Sequence, residues 1–471
     1  MNNIESKVAD SAMTGFGAHT SQEVEQLQKA LSIGSEYSST LPGSLTQGAA
    51  LAVEDLDRTL KLVTHGMEHI KLWKDIVKEK VTQTVHEFNI QNRYGQEVSP
   101  FFAMGGTPQA TDAGYNRDVA LVKYLGTQGQ VQHNLTLIQA AHGPVVAREV
   151  KNKTIELLAR NERALFEADS SINDKEYDGI EKSITSRESS SKFKSAAFEG
   201  YEGVGVSDSV VIDRRGSGLD EDTCEEACLR AVNNFGMPMD AYLSTDIHSR
   251  FSRNFYAKQV TRPGDSSAAG YRVPEFDGTL NFRFKGNLFN RPRRAPLATA
   301  VSAQSAPTLA NGASPADGAS QFASADVGTY SYKLSAVYAD GETLPSAKAD
   351  IAVSAGDKVT VEPSYSGSPL YFNVFRAPVG TVAGWEYIGR VAPAGSGVAI
   401  SIDYNANMPG LGKMFLLMHD SDALCFKQLG SMIKYDLAVT DTSYKWLQLL
   451  YGMVVVQAPR KHIIVKNIGL L

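Results

Sequence analysis

The chain has 471 residues, of which 42% are hydrophobic and 21% charged, and its formal net charge is −6. This composition excludes disorder throughout, and the length suffices for two or three domains with a sizeable core. The acidic balance argues against tight, sequence-specific binding of nucleic acid, because such proteins neutralise backbone phosphates with clustered Lys and Arg.

Residues 1–50 are rich in Ser, Thr, Gly and Ala, which predicts a mobile arm. Within it, Thr20 and Glu23 form a capping box that predicts one short helix. The first residues lack the basic and apolar regions of a signal peptide, and no run of the chain approaches the roughly 20 apolar residues that span a bilayer. We therefore expect no general secretion and no membrane partner.

A longer helix is predicted from Val53 to Val81, because apolar residues recur there at steps of three and four. Its single apolar stripe must dock on another part of the protein. Inside this segment, His65, Glu68 and His69 match the H-x-x-E-H pattern of inverted zinc peptidases, in which two imidazoles and a carboxylate share one helical face.

A second interpretation of this motif is that the three residues are partly exposed polar side chains of an amphipathic helix. Five-residue patterns arise by chance, no third ligand motif follows, and Gly66 weakens a helix by roughly 1 kcal/mol. We favour this interpretation and expect no metal, no cofactor and no catalytic residue.

Between Thr82 and Ile138 the apolar period changes to two, with Val131, Leu135 and Leu137 on one face. The intervening residues 93–118 are interrupted by Gly and Pro, as at the tip of a long hairpin. Because an isolated two-stranded ribbon is only marginally stable in water, this hairpin needs a neighbour to lie on.

Pro144 begins a long predicted helix that reaches about Asp169, followed by a polar stretch to about residue 200. Next come a strand over 206–213, a helix over 220–236, and a strand and helix over 240–251. The first of these helices has Asp220 and Asp222 at its positive end and stops at Gly236. Its predicted buried residues are Ala227, Cys228, Ala231, Val232 and Phe235.

Cys224, Cys228 and Cys425 predict buried thiols, because a zinc site would need a second Cys pair or a His cluster. A chain without disulfides suits a reducing cytoplasm. His248 has the chemistry of a general base, but a solvent-facing helical histidine is the commoner case.

Two glycine pairs, Gly203 with Gly205 and Gly216 with Gly218, lack the remaining glycine of a dinucleotide fingerprint and the Lys of a phosphate loop. They predict turns.

The densest basic cluster comprises Lys285, Arg291, Arg293 and Arg294. Two interpretations stay open. The cluster either contacts phosphates, or is a solvated linker root or forms a salt bridge to another subunit.

Residues 291–325 are rich in Pro, Ala, Ser and Gly and predict a linker. Beyond them the apolar residues keep strand period, which predicts a small β-sandwich. Its aromatic residues either line a sugar-binding surface or, as their alternation favours, form the core: Tyr330, Tyr332, Phe372 and Trp385.

From about Gly412 the pattern is again mixed, with a strand at 413–419, a helix-like segment at 442–456 and a closing strand at 462–468. The β-module is therefore predicted to be an insertion whose two ends leave and rejoin one α+β domain.

At FGMPMDAYLSTDIHSRF (235–251) and YGMVVVQAPRKHIIVKNI (451–468) the chain resembles the major capsid proteins of tailed bacteriophages, and its motif order is similar to that of large, contractile-tailed, Twort-like phages. The resemblance implies the α+β fold called the Hong Kong ninety-seven capsid fold. It implies, in order, an N-terminal arm (1–81), an extended hairpin loop (82–138), a peripheral domain with a spine helix (139–219), an axial domain (220–299), an inserted immunoglobulin-like β-sandwich (300–411) and the remainder of the axial and peripheral domains (412–471).

The resemblance also implies a function and partners. The chain would be a structural protein, not an enzyme, that assembles with itself into hexamers and pentamers of an icosahedral head in the host cytoplasm. Its further implied partners are portal, scaffolding and decoration proteins, with genomic double-stranded DNA on the inner face, bound without sequence specificity. The alternative is a surface or tail protein that binds carbohydrate through the β-module.

Overall fold

The computed structural model describes residues 63–95, 98–138, 143–194, 209–254, 275–277, 279–291, 295–438 and 441–469. The arm predicted at residues 1–50, its capping box of Thr20 and Glu23, and the turn predicted at Gly203 and Gly205 lie outside the described residues. None of the described helices is long and apolar enough to cross a membrane.

Helices occupy a minor part of the described chain. They are α1 (Leu72–Asp75), α2 (His133–Leu137), α3 (Val145–Glu167), α4 (Ile180–Arg187), α5 (Glu221–Asn233) and α6 (Thr245–Asn254). Short 3-10 turns occur at Met67–His69, Ser324–Asp326 and Pro459–Lys461.

Strands dominate. They are β1 (Val77–Lys80), β2 (Val85–Arg93), β3 (Gly114–Leu121), β4 (Lys123–Gln132), β5 (Val211–Asp213), β6 (Asp240–Leu243), β7 (Glu275–Asp277), β8 (Asn281–Gly286), β9 (Thr308–Ala313), β10 (Gly328–Tyr338), β11 (Gly341–Glu342), β12 (Ala349–Val353), β13 (Val359–Ser364), β14 (Tyr371–Arg376), β15 (Glu386–Val391), β16 (Ile400–Asp403), β17 (Gly412–Leu417), β18 (Leu424–Gln428), β19 (Ile433–Asp436), β20 (Ser443–Val456) and β21 (Ile463–Ile468). The α+β class predicted from the sequence is confirmed.

Two sheets form the body of the protein. A six-stranded sheet has the order β5-β21-β17-β6-β8-β7, and a five-stranded sheet has the order β1-β18-β20-β19, with β4 also paired to β20. Both sheets and helices α3 to α6 contribute to one hydrophobic core, in which Phe166, Tyr242, Phe415 and Phe426 are almost completely buried.

Strand β20 occupies the segment for which the sequence predicted a helix, so that prediction is wrong. Ten residues of β20 pair with β4 in antiparallel register, from Ser443 opposite Gln132 to Gly452 opposite Lys123. Buried and half-buried residues alternate from Trp446 to Gly452, but Leu447 and Leu449 on the less buried face are also apolar, which hid the period of two. The strand forms because three neighbouring strands, β4, β18 and β19, satisfy its backbone.

The predicted helix from Val53 to Val81 is wrong over its described part. Residues 63–81 form a 3-10 turn, the one-turn helix α1 and strand β1, which pairs in parallel with β18. Of the predicted apolar stripe, Ile70 is buried, but Val63 is almost fully exposed.

Glu162 of helix α3 fixes where the short helix α1 begins. Its fully buried carboxylate accepts hydrogen bonds from the backbone N–H groups of Lys71 (3.1 Å), Leu72 (2.7 Å) and Trp73 (2.7 Å), and from Asn287 Nδ2 (2.7 Å). Burial raises the pKa of Glu162 above its ordinary value, although these donors act in the opposite direction. One side chain thus fastens the segment that follows residue 62 to the long helix.

We expect Glu162→Ala to lower the free energy of unfolding by about 3 kcal/mol or more, because four buried donors lose their acceptor. Glu162→Gln keeps one oxygen and should lose less. Chemical denaturation monitored by circular dichroism measures both. Glu149→Ala on the same helix, whose carboxylate accepts a surface hydrogen bond from Asn152 (3.2 Å), is the matched control and should cost less than about 0.5 kcal/mol. Equal losses for Glu149→Ala and Glu162→Ala would contradict this role.

Residues 308–403 form two sheets of their own. One has the order β11-β10-β14-β15 with β12 also paired to β10, and the other has the order β16-β13-β9. They enclose a separate core that includes Tyr332, Leu334 and Phe372. The linker predicted at 291–325 is therefore wrong at its C-terminal end, because β9 lies within it and Phe322 is buried in this core.

The two ends of this β-module lie close together on the body. Asn290 Nδ2 donates a hydrogen bond to the carbonyl oxygen of Lys413 (3.0 Å) and approaches that of Tyr242 (3.3 Å). Residue 290 precedes the module and residue 413 follows it, so the chain leaves and re-enters the body at one place.

Other local predictions had mixed outcomes. Helix α3 lies where one was predicted, with Pro144 as its N-cap residue. Leu135 and Leu137, predicted in a strand, lie in helix α2, and α4 occupies a stretch for which the sequence predicted only polar character.

Candidate assembly surfaces

Strands β2 and β3 form an antiparallel ribbon that pairs with no other strand among the described residues. The register runs from Val85 opposite Leu121 to Arg93 opposite Gly114. Nine residues of extended chain span about 27 Å, so the loop that joins the strands stands well away from the ribbon base.

The base of the ribbon is fastened to the body by buried apolar and charged contacts. Phe88 and Val122 are buried in the core of the body. Asp118 of β3 forms an ion pair with Arg187 of α4 (2.9 Å), and Arg187 also lies over the ring of Phe193 (5.4 Å). The contacts hold the ribbon at one end, which leaves the other end available to a neighbour.

The ribbon tip, which we define as residues 98–111, carries apolar side chains that the described part of this chain does not cover. Phe101 is 89% exposed, Phe102 is 57% exposed and Met104 is fully exposed. A backbone hydrogen bond from Gly106 N to Ala103 O closes a turn there (2.9 Å). Exposed apolar groups at the end of a ribbon are typical of a protein interaction site.

A second exposed apolar surface lies at the C-terminal end of α5. Val232 and Phe235 were predicted to be buried, and this is wrong, because they are 37% and 48% exposed. Ala227, Cys228 and Ala231 are fully buried as predicted. Phe235 lies beyond the last residue of α5 and has a φ of 59°, so it does not continue the helical face that the pattern assumed.

The residues of the H-x-x-E-H motif do not share a helical face. Glu68 and His69 lie in the 3-10 turn, where His69 Nδ1 accepts a hydrogen bond from Gly66 N (3.1 Å) and lies 3.4 Å from a Glu68 oxygen. The His65 ring contacts the Phe289 ring edge-on. Within the described residues, no three His, Cys, Asp or Glu side chains form a metal-binding group.

The three cysteines are buried free thiols. Burial raises the pKa of Cys228 and that of Cys425 to about 11, and raises the pKa of Cys224 further. A thiol with so high a pKa carries almost no thiolate at neutral pH and is a poor nucleophile.

His248 is half-buried on α6, so the expectation that it faces solvent is wrong. Burial lowers its pKa, and Gly286 packs close to the ring. The turn predicted at Gly216 and Gly218 is present, and Gly216 adopts a φ of 90° there.

Two residues of the basic cluster form ion pairs, and the other two lie outside the described residues. Arg291 pairs with Asp246 (3.0 Å), and Lys285 pairs with Asp75 (2.8 Å) and Asp240 (2.9 Å). Arg293 and Arg294 are not among the described residues. Lys285 and Arg291 are therefore ion-paired within their own chain, which the sequence analysis did not predict.

Lys285 belongs to a polar network that sequence reasoning missed. Tyr242 OH donates to Asp75 (2.6 Å) and lies 3.0 Å from His419 Nε2, which itself lies 3.6 Å from Asp240. Burial alone would raise the pKa of Asp75, but the bonds from Lys285 and Tyr242 outweigh it and lower that pKa. No sequence signal links these residues, because they lie up to several hundred positions apart.

The β-module contacts the body through an ion pair at its side. Arg390 donates from Nη1 to both carboxylate oxygens of Glu176 (3.0 and 2.9 Å) and also bonds the carbonyl oxygen of Glu167. Tyr371 and Tyr387 line the adjoining cleft between module and body, whose volume is about 440 Å³.

The aromatic residues of the module do not form a surface platform for sugars. Tyr330, Tyr332 and Phe372 are buried in the module core. Trp385 is partly buried, and Lys333 Nζ lies 4.6 Å from the centre of its ring. The carbohydrate-binding alternative therefore has no support here.

No family model matches the chain. It is 23% identical over 450 residues to a proposed major capsid protein of Enterococcus phage phiEF24C, across 91% of this chain and 92% of that protein. It is 22% identical over 463 residues to the major capsid protein of Staphylococcus phage K, with the same coverage of both chains. The chain is similar over most of its length to phage major capsid proteins.

Solved structures that are similar to this chain include two capsids. The capsid of a native GTA particle has a TM-score of 0.45 and 8% identity, covering 90% of this chain and 97% of that chain. The capsid of Cyanophage P-SCSP1u has a TM-score of 0.45 and 8% identity, covering 92% of this chain and 100% of that chain.

Proposed function

We propose that the chain is the repeating subunit of a phage head, that its copies assemble into hexamers and pentamers of an icosahedral shell, and that it catalyses no reaction. The observation that carries the proposal is the ribbon, because its tip exposes apolar side chains about 27 Å from the base and has no partner strand in the described chain. The capsid proteins to which the chain is similar over 91% of its length support the same conclusion.

Weak individual contacts suffice for such a shell. A contact worth about 4 kcal/mol corresponds to millimolar pairing, but a subunit held by several neighbours gains through effective concentration. Weak contacts also let misplaced subunits dissociate, so that assembly errors are corrected.

The partners of the shell follow from the same proposal. The formal net charge of −6 suits an inner wall that encloses double-stranded DNA without binding it tightly. Portal, scaffolding and decoration proteins would be further partners. In this assignment the ribbon lies in the extended loop (82–138), α3 is the spine helix of the peripheral domain, and the β-module is an immunoglobulin-like insertion in the axial domain.

Negative-stain electron microscopy of the purified full-length chain, alone and with molecular crowding agents, tests the proposal. We expect closed shells or six-membered rings at a chain concentration in the micromolar range or above. A monodisperse monomer or small oligomer under every assembly condition would contradict it.

A further inference from the structure

Strand β9 of the β-module contains the single Asn-Gly pair of the chain, Asn311 and Gly312. The register with β13 shifts between Thr360 and Glu362, so that Asn311 and Gly312 together lie opposite one residue, Val361. This arrangement is a β-bulge, and β9 is the edge strand of its sheet. Few backbone bonds hold a bulge at the edge of a sheet, so it opens locally at a low cost in free energy.

The fold requires both residue types at this bulge. Asn311 adopts a φ of 49°, in the left-handed region that Asn tolerates better than most residues with a side chain. A Cβ at position 312 would lie 2.8 Å from the Cδ1 and Cγ1 atoms of Ile351. Ile351 is buried in the module core and cannot move aside freely. The bulge therefore selects Asn followed directly by Gly.

We propose that Asn311 is a site of spontaneous deamidation in the folded protein. The backbone nitrogen of Gly312 attacks Cγ of Asn311, a new C–N bond closes a succinimide ring, and the side-chain amide leaves as ammonia with the proton from Gly312 N. Water then opens the ring at one of its two carbonyl groups, which leaves an aspartyl or an isoaspartyl residue. Gly312 favours the attack, because it has no side chain that would crowd the closing ring.

Two other asparagines with a left-handed backbone lack these features. Asn405 and Asn467 have φ values of 58° and 54°, but they are buried and are followed by Ala406 and Ile468. Both the oxygen and the nitrogen of each side-chain amide are hydrogen-bonded within the protein. Asn311, by contrast, is exposed to water together with the glycine that follows it. Exposure, the edge bulge and the following glycine thus coincide at Asn311.

The change alters the contact between β9 and β13. Asn311 Nδ2 donates a hydrogen bond to Glu362 Oε2 (2.5 Å). Deamidation replaces this donor with a carboxylate, and two neighbouring carboxylates repel each other. The isoaspartyl product also inserts a methylene group into the backbone of β9, which disturbs the register of the strand. We therefore expect the β-module to lose stability as the protein ages.

Peptide mass mapping of the full-length folded chain tests the site. The chain is incubated for several weeks at physiological temperature and mildly alkaline pH, then digested, and an isoaspartyl methyltransferase identifies the isoaspartyl form. Asn89, an exposed asparagine of strand β2 that is followed by Ile90, is the internal control. We expect residue 311 to convert at least about tenfold faster than Asn89, with a rate that rises with pH as Gly312 N loses its proton more readily.

The same incubation in denaturant decides whether the fold protects the pair. If Asn311 converts quickly in the unfolded chain but no faster than Asn89 in the folded chain, the bulge is protective and the proposal is overturned. Asn311→Gly accepts the left-handed conformation and has no amide to lose, so it is the matched control. These measurements need no assembled particle, so they can fail while the proposed function stands.

Differential scanning calorimetry measures the consequence. The thermal midpoint of the aged wild-type chain should fall by a few degrees, because a contact at β9 is lost, whereas that of aged Asn311→Gly should not change. An equal fall in both chains would contradict the role of residue 311.

Discussion

Replacement of residues 96–111 by Asn-Gly is expected to yield a folded chain that no longer assembles. Residues 98–111 contribute no side chain to the hydrophobic cores of the described chain, and the ribbon base with Phe88, Val122 and the Asp118 to Arg187 ion pair is retained. The thermal midpoint should therefore move by no more than a few degrees. Assembly should be lost, because the exposed apolar side chains that would contact a neighbour are gone.

Sedimentation velocity and electron microscopy measure assembly, and differential scanning calorimetry measures folding. A triple variant in the β-module, with Val327, Val382 and Val398 each changed to Ser, removes exposed apolar side chains elsewhere and is the control. If the shortened ribbon unfolds the chain, the tip belongs to the folding core. If it assembles normally, the ribbon is not the contact that holds subunits together.

Excision of residues 300–405, closed by a short Gly-Ser linker, is expected to leave the α+β body folded. The module has its own core, and the bond from Asn290 to Lys413 keeps the two cut ends together. This boundary retains Ala406 and Met408, whose backbone groups bond the buried Asn467 side chain (3.1 and 2.9 Å).

The excision breaks the ion pair of Arg390 with Glu176 and the hydrogen bond of Arg215 with Gln321, so we expect a cost of about 1 to 3 kcal/mol. Circular dichroism and denaturant titration measure the outcome. Arg390→Ala in the complete chain removes the ion pair with Glu176 and the bond to the Glu167 carbonyl oxygen but keeps the Arg215 bond, and it shows what share of the cost Arg390 carries. Global unfolding of the shortened chain would show that the module is part of one cooperative unit with the body.

Contacts between distant residues also set the limits of what a sequence pattern predicts here. In β20, leucines on the less buried face imitate a helical period, and only the register with β4 and β18 identifies a strand. Gly129 of β4 shows that this pairing depends on a distant residue. Any Cβ at position 129 would lie 2.3 Å from the ring of Trp446, which is more than three hundred positions later in the chain. Neither residue carries a local signal of this contact.

The sequence by itself determined the elements that form because of residues close to one another along the chain. These are helix α3 with Pro144 at its start, the alternating strands of the β-module, and the order of segments that resembles phage capsid proteins. Tertiary structure alone decided the conformation of residues 63–81, the network of Asp75, Tyr242 and Lys285, and the exposure of Phe235. The physical reason is that periodicity and capping act within a few residues, whereas a buried carboxylate such as Glu162 or a strand partner is supplied by chain that lies about a hundred positions away or more.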